Sequence, residues 1–192
     1  MLDDITPKDI YLGRSESWIS GLTGESDPTP APEHCLKELD ELRALCHAAT
    51  TTSAREEFTV RHHEKAYRVS TLTSLSDLIY VLRCMPPSVP ALDELNIYPG
   101  YVTQLMRPNL SGLIVIAGAF GQGKTTTASA IIASRLKRYG GVAITIEDPP
   151  ELPLEGTHGR GICYQTWVDQ GQFGEACRKT ARYAPNIIDR KS

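Results

Sequence analysis

Apolar residues recur along this chain in two different rhythms. Leucines return at every third position from Leu36 through Leu39 and Leu42 to Leu45, with Glu38, Asp40, Glu41 and Arg43 between them. That interval predicts an amphipathic surface helix lying on a core, opened by Pro32-Glu33. In the second half the apolar positions come as unbroken runs. Residues 113–117 (LIVIA) and 142–146 (VAITI) read as strands buried on both faces of a sheet. Between them, residues 124–139 carry the helical stagger of Ala128, Ile131, Ile132, Arg135 and Leu136, and Gly140-Gly141 ends it as a C-cap does. Strand, helix and strand in this order predict a βαβ unit on a parallel sheet. A last helix is predicted over 172–183, and Asn186-Ile187-Ile188 after Pro185 opens a third strand.

The first half is less regular. Residues 21–32 are rich in Pro, Ser and Gly and predict a loop. Residues 57–71, rich in Val, Tyr and Thr, predict extended segments. Residues 77–83 (DLIYVLR) fit a buried strand or a helix, because so short a run does not decide. Pro86, Pro87 and Pro90 punctuate the next stretch; 91–96 fits a short helix that Pro99-Gly100 breaks. The chain thus divides by composition into two regions, 1–106 and 107–192.

Composition narrows the class. Hydrophobic residues make up 41% and charged residues 22% of 192, and the net charge is −3. This is ordinary globular balance, without the basic excess of a nucleic-acid or anionic-membrane binder. Five cysteines (Cys35, Cys46, Cys84, Cys163, Cys177) form no CxxC pair, which argues against a zinc site or disulfide framework and for a reducing cytoplasm. His62 and His63 are adjacent, but no acidic or cysteine ligand stands at metal spacing in the sequence, and they read as surface residues of a strand or turn. The acidic Met-Leu-Asp-Asp start predicts no signal peptide, and no run approaches the roughly 18 apolar residues of a membrane span.

The chemistry concentrates at Gly118-Ala-Phe-Gly121-Gln-Gly123-Lys124-Thr125, a match to GxxxxGK[ST] set between the 113–117 run and a helix. Gly121 and Gly123 let the backbone curl so that successive N–H groups face phosphate oxygens. The helix N-terminus adds partial positive charge. Lys124 is suited to the β- and γ-phosphates, and the Thr125 hydroxyl to Mg2+. After the second strand come Glu147-Asp148-Pro149-Pro150-Glu151, at the strand end where open parallel sheets bind ligands. Two carboxylates there can orient Mg2+ or activate water; an acidic Asp-Pro turn is the plainer alternative.

The stretch GLIVIAGAFGQGKTTTASAIIAS, followed by AITIEDPPEL, resembles the motor ATPases of type II secretion, type IV pili and related type IV secretion systems, most of all the pilus retraction ATPases. Their pattern is a glycine-led strand, a GxxGxGKTTT loop, a helix and a TIEDPIE box. Upstream, Ala66-Tyr-Arg68-Val-Ser70 and Val81-Leu-Arg83-Cys-Met-Pro86 are similar to the family's RFRVN and VLRxIP segments, and Lys8-Asp-Ile-Tyr-Leu12 to the opening of its N-terminal domain. The resemblance favours the strand reading of 77–83. It implies an α/β protein with a PAS-like α+β domain over 1–106 and an incomplete RecA-like P-loop core, a parallel sheet, over 107–192.

By the same resemblance, Gly118, Gly121, Gln122, Gly123, Lys124, Thr125 and Thr126 bind ATP, Glu147 positions the attacking water, and Asp148 supports it or, with Thr125, the Mg2+. Arg68 and Arg83 fall where the family uses arginines near the nucleotide, often across a subunit boundary; the plain alternative is a surface salt bridge. The implied partners are further copies of the chain in a hexamer, at the inner-membrane platform of a pilus or secretion machine, with no direct nucleic acid and no membrane insertion. The implied location is the cytoplasm. Where the family pattern continues into a Gly-Glu, this chain reads Ile188-Asp189-Arg190-Lys191-Ser192, so the Walker B glutamate and the His box are expected to be missing and turnover to be poor. A non-catalytic nucleotide-binding module stands as the alternative to a motor. A small P-loop kinase is a third reading, but Arg160, Arg178 and Arg182 form no lid pattern.

Overall fold

The computed structural model describes residues 5, 7–22, 28–52, 56–119, 121–169 and 171–191. Part of the loop predicted over 21–32, the first four residues and Phe120 of the phosphate loop lie outside the described residues. The chain forms two compact units, Met1–Pro87 and Ser88–Ser192. The break therefore comes earlier than the composition shift at 106/107 suggests, because the segment between belongs with the second core. Leu92, Ala130 and Ile131 cluster there with Val89, Leu95, Ile97, Val102, Leu105 and Met106 around them.

In the first unit, strands β1 (Asp9–Leu12), β2 (Ser17–Ser20) and β3 (Thr29–Pro30) precede a short 3-10 turn and helix α1 (Leu36–Thr52). Strands β4 (Glu57–His62), β5 (Lys65–Thr73) and β6 (Leu78–Cys84) come next. All six form one antiparallel sheet in the order β3-β2-β1-β6-β5-β4. Residues 78–84 are thus a strand, buried at Tyr80 and Leu82. Helix α1 forms as predicted but presents a different face. Cys35, Leu39, Leu42 and Cys46 are buried, whereas Leu36 and Leu45 are 42% and 39% exposed. A step of three falls short of the 3.6-residue turn by roughly 60°, so three such steps drift off the core; Cys35, Leu39, Leu42 and Cys46, three or four apart, stay on it.

In the second unit, Pro99-Gly100 does not break a helix but begins one, α2 (Pro99–Leu105), while the segment before it makes only turns. Proline is accepted there because the first helical N–H groups have no intrahelical partner in any case. Helix α3 (Lys124–Tyr139) ends at Gly140, with φ 74°, and buries Ala130, Ile131, Ile132 and Leu136. Then come β7 (Gly141–Glu147), β8 (Gly156–His158), β9 (Gly161–Trp167), α4 (Phe173–Arg182) and β10 (Ile187–Arg190). The sheet order is β10-β7-β9-β8, with β7 parallel to both β10 and β9. Ile132, Leu136, Ala143, Leu154 and Cys163 form the core between α3 and this sheet.

One expected strand is not formed. Residues 113–117 run into the phosphate loop but pair with no strand among the described residues. Leu113, Ile114 and Val115 are 89%, 46% and 75% exposed, so the predicted burial on both faces is corrected. A groove of about 360 Å³ separates this segment from β10, floored by Ala128, Ile131 and Ile132 of α3. Strand conformation needs a hydrogen-bonded neighbour to stabilise it, and across this gap there is none.

Two measurements test the packing. Leu136→Ala, at a fully buried position, is expected to lower unfolding free energy by about 2–5 kcal/mol in a denaturant titration. Burial pushes the thiols of Cys46 and Cys163 up to about 12, leaving roughly one in ten thousand ionised at pH 8. Native alkylation read by peptide mass spectrometry is expected to mark exposed Cys84 and spare Cys46 and Cys163 until denaturant is added.

Candidate functional site

The phosphate loop forms a turn that leads into α3. Gly121 and Gly123 hold φ 77° and 76°, the left-handed region closed to most side chains. A Cβ added at either would meet nothing within 4 Å. Backbone conformation, not space, therefore requires glycine here. Gly123 is the N-cap of α3 and no side chain caps it. No acidic residue stands in the first turn either. The amides at this helix start, the dipole behind them and the Lys124 charge all favour an anion. The Lys124 Nζ donates to the Ala119 carbonyl at 2.9 Å, folding the side chain back over the loop. Gln122 is exposed, and Thr125 and Thr126 are half-buried on the first turn of α3.

Glu147 ends β7 and is only 1% exposed. Its Oε1 accepts from Thr145 Oγ1 at 2.6 Å and from Gln165 Nε2 at 2.9 Å, and Lys191 Nζ stands 3.4 Å away. Lys191 also pairs with Asp189 at 2.6 Å. A buried carboxylate persists only when it is paired and hydrogen-bonded, and these groups meet that demand. Gln165 and Lys191 come from β9 and from the end of β10, the two strands flanking β7. Asp148 comes directly after Glu147, in a bend before Pro149. Thr125, Glu147, Asp148, Glu151 and Lys191 line one small cavity. The fold thus brings the helix start and the acidic cluster together, although the strand expected before the loop is not formed. This set of hydroxyl and carboxylate oxygens suits a hard divalent cation such as Mg2+.

The partners Gln165 and Lys191 are not legible in the sequence. Lys191 stands outside any motif, and Gln165 lies in a strand whose Tyr, Gln and Thr give no apolar run.

Arg68 and Arg83 lie in the first unit, directly opposite each other on β5 and β6. Like charges so paired repel, and each arginine has a carboxylate partner on the next strand outward. Arg83 Nε donates to Asp9 Oδ1 on β1 at 2.7 Å, and Arg68 Nη2 to Glu57 Oε1 on β4 at 3.5 Å. The hydrogen bond to buried Asp9 raises the pKa of Arg83. Both arginines are thus engaged within their own sheet.

Residues 50–188 match the family model for the type II/IV secretion system protein. The type IV pilus ATPase PilU of Pseudomonas aeruginosa is 33% identical over 126 residues, 64% of this chain and 31% of PilU. The competence protein ComGA of Bacillus subtilis is 31% identical over 106 residues, 50% of this chain and 30% of ComGA. The chain therefore spans about a third of the length of these curated relatives. The solved structure of the pilus retraction motor PilT with bound ADP covers 99% of this chain, with 57% of its own length matched, a TM-score of 0.78 and 20% identity. That likeness extends the α/β fold across both units.

Removing the Lys191 charge tests the buried network. Lys191→Met is expected to destabilise the second unit by about 3 kcal/mol, the cost of leaving Glu147 buried without its cation. Adding Glu147→Gln should restore part of the loss in a double-mutant cycle followed by denaturation.

Proposed function

The chain belongs to the type II/IV secretion system protein family, and we infer that within it this protein binds ATP with Mg2+ at the loop from Gly118 to Thr125. The observation that carries the reading is the shared cavity of Thr125, Glu147 and Asp148, beside an uncapped helix start that bears Lys124. In this reading Gly118, Gly121, Gln122, Gly123 and Thr126 wrap the phosphates with backbone N–H groups. Lys124 releases the Ala119 carbonyl and takes up the β- and γ-phosphates. Thr125 and Asp148 would hold the cation, which would supply positive charge against the phosphate oxygens. Glu147 orients the attacking water.

Met1–Pro87 is read as the family's PAS-like domain and Ser88–Ser192 as the first part of a RecA-like core. The working assembly is a homohexamer at the cytoplasmic face of a pilus or secretion platform, in which ATP hydrolysis drives pilus retraction or the movement of protein or DNA substrates. There, Arg68 and Arg83 reach a nucleotide held by a neighbouring copy, which requires each to leave its present carboxylate. Among the described residues no helix is long and apolar enough to cross a membrane.

A second reading is favoured by Lys191. Its ammonium stands 3.4 Å from Glu147, and a carboxylate neutralised by a buried lysine is a poor partner for water. On this reading the chain binds nucleotide without turning it over and assembles with other members of the family.

Binding of a fluorescent ATP analogue in Mg2+ tests the site. Lys124→Ala is expected to weaken it about tenfold to a hundredfold, the worth of a lost charge-assisted hydrogen bond; unchanged affinity would sink the reading. Phosphate release on the same samples separates motor from binding module. Turnover abolished by Lys124→Ala and by Glu147→Gln supports the first, and tight binding without turnover the second.

A further inference from the structure

We propose that Glu41, His62 and His63 form a divalent transition-metal site that clips helix α1 to the β4–β5 hairpin. The three residues offer one ligand atom each, all within 4.8 Å of one another. His62 Nε2 lies 2.9 Å from Glu41 Oε2, and the two imidazole rings stand edge to face with centroids 4.2 Å apart.

Neighbouring residues in a strand point to opposite faces of the sheet, so consecutive histidines in a regular strand do not converge. Here they do, because the strand ends between them. His62 closes β4 and pairs with Lys65 of β5, leaving His63 and Glu64 as a two-residue turn. His63 holds φ 52°. A two-residue hairpin with positive φ at its first central position favours glycine there. A β-carbon in that conformation costs roughly 1–2 kcal/mol. A side chain kept where its absence is cheaper points to a use for it, and the use on the page is the second imidazole beside His62.

Glu41 completes the set from another element, 21 residues away on the exposed side of α1. Its Oε2 already faces the His62 ring nitrogen, and carboxylate and imidazole bind a metal in their unprotonated forms. Two imidazole nitrogens and one carboxylate oxygen suit Zn2+, Co2+, Ni2+ or Cu2+ rather than Mg2+ or Ca2+. A metal about 2.1 Å from each ligand needs them closer than 4.8 Å. Glu41 and His62 already stand 2.9 Å apart, so the remaining gap is to His63, whose exposed side chain can turn inward to close it. The metal then takes the place of the proton between Glu41 and His62. Lys37, one turn earlier on α1, opposes the cation and keeps affinity moderate. Solvent fills the remaining coordination positions. The site is separate from the nucleotide loop, and its test does not depend on ATP binding.

The experiment is a titration of the full chain, prepared without a histidine tag, with Zn2+ by calorimetry and with Co2+ by absorption. One equivalent of Zn2+ is expected to bind and to raise the thermal midpoint, with no such effect from Mg2+. Co2+ should give a visible ligand-field band without a sulfur charge-transfer band. Glu41→Gln, on an exposed helix surface, and His63→Asn, which tolerates positive φ, should each weaken Zn2+ binding at least about tenfold. The proposal is overturned by any of three outcomes: no saturable binding in the wild type, unchanged affinity in both variants, or a sulfur charge-transfer band showing cysteine ligation.

Discussion

Strand β7 is the member on which the second unit depends. It hydrogen-bonds in parallel to β10 along one edge and β9 along the other. It also buries Ala143, Ile144, Thr145, Ile146 and Glu147 in succession. A strand covered on both faces and both edges has nowhere to shift, since a slip of one residue would exchange every side chain between faces. That rigidity allows a carboxylate to be carried into the interior at its last position. Thr145, two residues earlier on the same face, and Gln165 and Lys191 from the flanking strands then satisfy it. The phosphate loop gains its position from the same strand through α3, whose Ile132 and Leu136 pack into the core that Ala143 shares.

The first unit solves a different problem. Its sheet is antiparallel and links four charges on β1, β6, β5 and β4 in the order Asp9, Arg83, Arg68, Glu57, with Glu57 reaching Arg68 diagonally because Thr59 stands directly opposite that arginine. The two central arginines face each other, and the outer carboxylates balance them. Any role for those arginines at a distant phosphate competes with this local arrangement. Exposed ion pairs are individually weak, worth about 0–1 kcal/mol. The exchange is therefore inexpensive for Arg68, and dearer for Arg83, whose partner is nearly buried.

Legibility in the sequence tracks the range of the interaction. The phosphate loop, α3 and β7 are legible because local rules govern them: glycine spacing, helical stagger and an unbroken apolar run. The place of the paired acidic residues is legible because they directly follow the apolar run of β7. By contrast, the burial of 113–117 depends on a neighbour that no local pattern supplies, and the same apolar run that marks a strand leaves Leu113 and Val115 in solvent. Strand β9 is hidden because its Tyr164, Gln165 and Thr166 make no apolar run, and only long-range pairing with β7 makes it a strand. His62 and His63 stand unaccompanied in the sequence because Glu41 reaches them only after α1 packs against β4.

The uncovered run at 113–116 also sets the chain's behaviour in bulk. An aliphatic stretch in solvent, facing a groove beside the outer edge of β10, adds a short-range attraction between any two molecules that meet there. With a net charge of only −3, Coulombic repulsion does little to offset it, and added salt screens even that. The exposed Leu113, Ile114 and Val115 at the entrance to the phosphate loop thus add an attractive term to the osmotic second virial coefficient, one whose effect fades with dilution rather than with added salt.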